Sequence, residues 1–176
     1  MITLDKDLNG KILDIGGGGE GIIGQLYTSQ VVAIDIRQDE LDEAPTEFEK
    51  ILMDATHLKF KENSFDHVTS FYTLMYMNTE DQKTAITEAS RVLKNNGKFH
   101  IWDCDIISAY PEPFCIDISI QLPNKHIATT YGITKMDSQD ENSITKMCIN
   151  SGLRLVTKKY SKYGFYLCFK KILHIE

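Results

Sequence analysis

No apolar run in this chain approaches the roughly 18 residues of a membrane span, and none of its four cysteines stands in a C-x-x-C. The first absence excludes a helical membrane anchor. The second leaves Cys104, Cys115, Cys148 and Cys168 without zinc-ligand spacing, so they read as free thiols of a reducing compartment. His57, His67, His100 and His174 form no ligand spacing either, and no metal is expected. The opening MITLDKDLNGK has no apolar core and reads as neither signal nor transit peptide; a cytoplasmic address follows. There is no internal repeat, low-complexity tract or dividing linker. At 176 residues the chain is expected to form a single domain spanning 1–176. A chain of this size buries about 70% of its unfolded surface without a disulfide or metal staple.

What is present begins with an uneven charge. Residues 1–145 hold 12 basic and 24 acidic residues, whereas 146–176 hold 7 and 1. Such asymmetry can mark a nucleic-acid footprint, but these lysines lack interleaved arginines and read first as a solvated face.

Strand-like runs alternate with helical ones, which predicts an α/β fold with a mainly parallel sheet. Strands are expected at 11–15, 31–36, 50–54, 64–71 and 98–106, with two closing strands in LRLVTKKY and YGFYLCFKK. Helices are expected over 20–29, near 39–43, over 79–95 and over 140–151. In the third of these, Ala85, Ile86, Ala89, Val92 and Leu93 fall on one face. Thr79 with Gln82, and Ser138 with Glu141, are spaced as capping boxes. Residues 107–137 read as a loop at PEPF followed by short strands or a hairpin.

ILDIGGGGEGIIG, residues 12–24, places Gly16, Gly18 and Gly21 in a G-x-G-x-x-G between a strand and a helix, with Asp35 ending the next strand. That pattern fits a dinucleotide, but the charge does not. Asp14 and Glu20 flank the glycines, and no cation occurs between Lys11 and Arg37. A carboxylate ~4 Å from a phosphate costs about 4 kcal/mol at an intermediate dielectric. A ligand bearing an ammonium and a sulfonium, with no phosphate, turns that repulsion into attraction. S-adenosylmethionine is such a ligand. Asp35 can accept both ribose hydroxyls, and Asp54 with Ala55 can border the adenine.

These segments, with MDATHLKFKENSFDHV and EASRVLKNNGKF, resemble the class I S-adenosylmethionine-dependent methyltransferases. The likeness is nearest to the small-molecule branch of ubiquinone and menaquinone biosynthesis methyltransferases. It covers residue 11 to about 105 and resumes weakly at SITKMCINSGLRLV. The resemblance implies a Rossmann-like, doubly wound seven-stranded sheet of order 3-2-1-4-5-7-6 with the seventh strand antiparallel and helices on both faces. It places Asp14, Gly16, Gly17, Gly18 and Gly19 at the methionine end. Asp35 takes the ribose, Ile36, Arg37, Asp54 and Ala55 the adenine, and Phe71 lies under the methionine portion. The chain departs from the family at Glu20, which stands where a third glycine is usual. Relatives also fold several tens of residues over the substrate before the first strand, where this chain has about ten. Closure then falls to a substrate-side insertion at 107–137 or to a second subunit in a homodimer.

SFYTLMYM after the fourth strand is not the Asn/Asp-Pro-Pro-Tyr/Phe run of amino-group methyltransferases of DNA and protein, and no Pro-Cys nucleophile is present. A small-molecule acceptor is the default, with S-adenosylhomocysteine as the second product. A macromolecular acceptor stays open through the basic stretch. Tyr72, Tyr76, Asp103, His126 and Tyr131 are the substrate-side candidates, and no catalytic base is assigned. Two other readings remain: a nicotinamide-dependent oxidoreductase, and a non-catalytic cofactor-binding module or partner subunit.

Overall fold

Ile12, Leu13 and Ile15 are almost fully buried, as an unbroken apolar run must be at the centre of a parallel sheet. The computed structural model describes residues 1–172; His174 lies outside them. In chain order its elements are β1 (Ile2–Thr3), β2 (Ile12–Ile15), α1 (Ile22–Tyr27), β3 (Val31–Asp35), α2 (Gln38–Glu43), β4 (Glu49–Leu52) and β5 (Phe65–Phe71). They continue with α3 (Thr79–Val92), β6 (Leu93–Asp103), β7 (Phe114–Leu122), β8 (Lys125–Ile133), α4 (Glu141–Asn150), β9 (Leu153–Ser161) and β10 (Gly164–Lys171).

The main sheet has the order β4-β3-β2-β5-β6-β10-β9. Its strands, counted along the chain, thus run 3-2-1-4-5-7-6, and β10 is antiparallel to both neighbours. This is the expected architecture. β2 lies between β3 and β5, both parallel to it. Strand order reverses there, and a crevice opens beyond the carboxyl ends.

α3 and α4 cover one face. Ala85, Ile86, Ala89 and Val92 meet Phe99, Ile101, Phe165 and Leu167 in one cluster, full burial of each Val, Leu, Ile or Phe among them being worth roughly 1.5–3 kcal/mol. The opposite face, over β2 and β3, is covered by α1 and by a second, three-stranded sheet of order β1-β7-β8.

The helix caps fall elsewhere than the capping boxes proposed. Asn78 caps α3 by accepting from the Asp81 amide, while Thr79 bonds Asp137 instead. Asp140 caps α4 in a box with Ser143; Ser138 is drawn away to the Ser108 amide. The 107–137 segment forms the long hairpin β7–β8, whose tip Pro123-Asn124 joins Leu122 to Lys125.

Candidate functional site

The loop between β2 and α1 turns tightly beneath β3. The amides of Gly16 and Gly17 donate to Ile34 O at 2.8 and 3.0 Å, and that of Gly19 to Glu40 O at 2.8 Å. Gly16 has φ +70°, and a Cβ there would lie 2.2 Å from the Thr73 side chain. Only glycine allows the loop after β5 to close so near. Gly21, also left-handed at φ 55°, opens α1.

Three carboxylates end neighbouring strands, in three different states. Asp14 is buried beneath the loop and accepts from Thr69 Oγ1 at 2.6 Å. Burial, opposed by that hydrogen bond and reinforced by Asp35, pushes its carboxyl up to about 7. Asp35 reaches the crevice, with Oδ1 accepting from the Arg37 amide at 3.0 Å. Asp54 closes a turn, its Oδ1 taking the Thr56 amide and hydroxyl at 2.8 and 2.7 Å. The Thr56 amide chiefly holds the Asp54 carboxyl below its ordinary range.

These strand ends wall a cavity of about 730 Å³. Gly16, Gly18, Gly19, Asp35, Ile36, Arg37, Asp54, Ala55 and Phe71 all line it, as do Tyr72, Tyr76 and Tyr131. Among the described residues, five carboxylates face it (Glu20, Asp35, Glu40, Asp54 and Asp81), against one cation, Arg37. That guanidinium is already engaged by Asp39 and, at 3.1 Å, by Glu40. Ile36, 68% exposed, offers an apolar shelf beside buried Ala55.

The other wall is aromatic. Tyr72 sits at φ 51°, a costly backbone for a non-glycine residue, and its hydroxyl donates to Tyr163 O at 2.5 Å. Its ring stacks on Tyr131 of β8, centroids 5.5 Å apart. Glu20 fastens this wall to the glycine loop: Thr129 Oγ1 and Tyr131 Oη, the latter at 3.3 Å, both donate to its carboxylate. β8, within residues 107–137, places Thr130, Tyr131 and Gly132 on the cavity wall.

Other expected residues stand elsewhere. Asp14 lies under the loop, and Gly17, within it, faces Asp14 and Ala33; neither is on the cavity wall. Asp103 is completely buried, accepting from the Cys104 and Met75 amides at 2.8 and 3.2 Å and from Gln139 Nε2 at 2.7 Å. It ties the end of β6 to the loop after β5 and is absent from the cavity wall. His126 is exposed on β8, bonded to Ser119 Oγ at 2.8 Å, and also stands off the wall. Sequence reasoning passed over Glu40, Thr73, Met77 and Asp81. Of these, only Glu40 carried a signal, through its place in the acidic helix after Asp35.

The sequence profile described as a methyltransferase domain matches residues 13–101, half of the chain. The chain belongs to the methyltransferase domain family. Its fold is shared by an S-adenosylmethionine-dependent methyltransferase from Clostridium acetobutylicum, 16% identical, with a TM-score of 0.66 over 94% of this chain and 85% of that one. A second, from Mesorhizobium loti, is 14% identical with a TM-score of 0.66 over 94% and 93%. A Pyrococcus horikoshii protein gives 0.68 at 16% identity over 94% and 84%. The cofactor of this methyltransferase domain is S-adenosylmethionine. The cavity suits it on chemical grounds, since its carboxylates attract a sulfonium and an ammonium, and Arg37, the one cation among its described lining residues, is already paired. Among the described residues, no helix is long and apolar enough to cross a membrane.

Proposed function

We propose that this methyltransferase domain passes the methyl group of S-adenosylmethionine to a small-molecule acceptor that enters beside Tyr72, Tyr76 and Tyr131. One observation carries the reading: the crevice at the sheet's reversal point is lined by five carboxylates and one neutralised guanidinium. The motifs shared with the quinone-biosynthesis branch favour a small acceptor. When bound, the cofactor supplies an electrophilic methyl on a cationic sulfur.

The chain's own residues supply grip, alignment and dryness. In this reading Asp35 accepts the ribose hydroxyls. Ile36 and Ala55 flank the adenine, with Arg37 alongside and at its edge Asp54 Oδ2, which stands 3.8 Å from His57 Nδ1. The Gly16–Gly19 backbone receives the methionine end, Asp14 buttresses that loop from beneath, and Phe71 lies below. Residues 1–176 act as one unit, and 107–137 is its substrate-side insertion, contributing Thr130, Tyr131 and Gly132 to the wall. Tyr72 and Tyr131 shield the transfer from water. Aligning two reactants in line can supply roughly 7–11 kcal/mol. A base is required only where the acceptor must lose a proton at attack.

The test is Asp35→Ala, titrated with S-adenosylhomocysteine by calorimetry. Affinity should fall at least tenfold while the melting point of the ligand-free protein barely moves. Unaltered affinity with a large drop in melting point would make Asp35 a structural turn residue and remove it from the site. Labelled cofactor incubated with metabolite pools should then yield a labelled product; saturable binding with no transfer would leave a cofactor-binding module.

A further inference from the structure

The face of the main sheet opposite α3 and α4 carries a pattern that, Phe71 apart, the cofactor cavity does not use. Along β6, Phe99 and Ile101 point into the core under the helices, so Lys98, His100 and Trp102 share the other face. Strand register then lays out three rows across the sheet. In the first, Lys98 pairs with His67 on one side and Lys170 on the other, and Lys170 pairs with Arg154. In the second stand Thr69, His100, Cys168 and Thr157. In the third, Phe71, Trp102, Tyr166 and Lys159 are cross-strand neighbours.

Like charges directly opposite each other destabilise a sheet. Lys98, Lys170 and Arg154 are nevertheless consecutive, and among the described residues none of them, nor Lys159, has an ion pair. The aromatic row is continuous: Trp102 and Tyr166 rings lie 4.8 Å apart, and Lys159 Nζ sits 6.0 Å from the Tyr166 centroid. It opens into a cleft of about 340 Å³ whose far wall is the segment Met1–Leu8. Among the described residues, the carboxylates lining that cleft are Asp5 and Asp7; Asp7 acts on His67 and Cys168 as well as on Tyr166, and the row Lys98, Lys170 and Arg154 lies about 13 Å from the aromatic row.

We infer that this face binds single-stranded nucleic acid, with bases stacked on Trp102 and Tyr166 and phosphates on the row Lys98, Lys170 and Arg154. An aromatic row beside an unpaired cationic row is the chemistry that sequence-tolerant binding of single strands uses, and a sheet face is a sufficient platform for two or three bases. A duplex hides its base faces, and its major groove admits a helix or a two-stranded ribbon, not a face this broad. A lipid surface calls for protruding apolar side chains, whereas the exposed side chains of these three rows are Lys98, Arg154 and Lys159. The uneven charge of the sequence takes on meaning here, because register gathers distant cations into one line. The proposal is independent of methyl transfer and of any acceptor.

Trp102 is the only tryptophan, so its emission reports on the site directly. Titrating a short oligouridylate into the full chain at low salt should quench that emission saturably. The log–log slope of affinity against salt should be about −2, from three phosphates at about 0.7 each. The triple variant Lys98→Ala/Arg154→Ala/Lys170→Ala should lose most of that slope and at least tenfold in affinity, while still binding S-adenosylhomocysteine as the wild type does. With a labelled oligonucleotide read by anisotropy, Trp102→Ala should weaken binding roughly 5- to 150-fold, and Trp102→Phe by less. Absence of quenching, binding retained by the triple variant, or binding to phosphatidylserine vesicles without binding to the oligonucleotide would each overturn the assignment.

Discussion

Two aspartates show how depth, more than sequence position, decides what a carboxylate does. Asp14 and Asp35 both close parallel strands, and both stood as cofactor residues by motif. β2 is covered on both faces, so Asp14 is sealed below the loop, whereas Asp35 stands at the open edge of the crevice. Position in a motif was legible; burial depends on what the chain later lays over the strand. Asp103 lies off the cavity wall for the same reason. The difference has a thermodynamic signature. The Asp14 carboxyl moves from 3.8 to about 7, so the folded state holds a proton that the unfolded chain has lost. Stability from this group is intact below pH 4 and declines as pH rises to 7, by on the order of 4 kcal/mol. His100 acts in the opposite sense: burial lowers it to about 3, so the protein gains stability between pH 3 and 6.5. The two are separated by comparing variants. Asp14→Asn should gain on the wild type steadily between pH 4 and 7 in thermal melts; parallel curves would show that Asp14 stays ionised.

At the scale of elements, the hairpin β7–β8 is the part of the fold that sequence reading left vague. Its alternation is plain in retrospect, with Phe114, Ile116, Ile118, Ile120 and Leu122 on one side and Ile127, Thr129, Tyr131 and Ile133 on the other strand. What no local pattern could supply was its partner, since β1 joins β7 across more than a hundred residues. The face of α3 was legible because 3.6-residue periodicity is local. Its cap was not, because Asn78 and Thr79 compete and a distant Asp137 decides between them. Glu20 was noticed only as a departure from the glycine pattern. Its partners Thr129 and Tyr131 explain it as the clip between loop and hairpin. Glu20→Ala should therefore raise hydrogen exchange across 125–133 well above its effect on the rest of the sheet. Uniform exchange throughout the protein would show that the clip does not hold β8.

Across the whole molecule, charge is sorted to opposite faces. Acids collect at the carboxyl ends of β2, β3 and β4, and cations along the far side of β6, β10 and β9. The glycine loop could be read from the residues themselves, and the strand order was implied by the resemblance that residues 11–105 carry; together they place the crevice. The register that aligns the cations could not, because it depends on which strands become neighbours. The acidic crevice is the centre of the account: its carboxylates oppose a phosphate and attract a sulfonium. Thermal melting with S-adenosylhomocysteine and, separately, with NADH tests this most directly. At a hundred times its dissociation constant the nucleoside should stabilise the protein by ~2.7 kcal/mol, and NADH should leave the melting point where it was. Stabilisation by NADH alone would contradict the account.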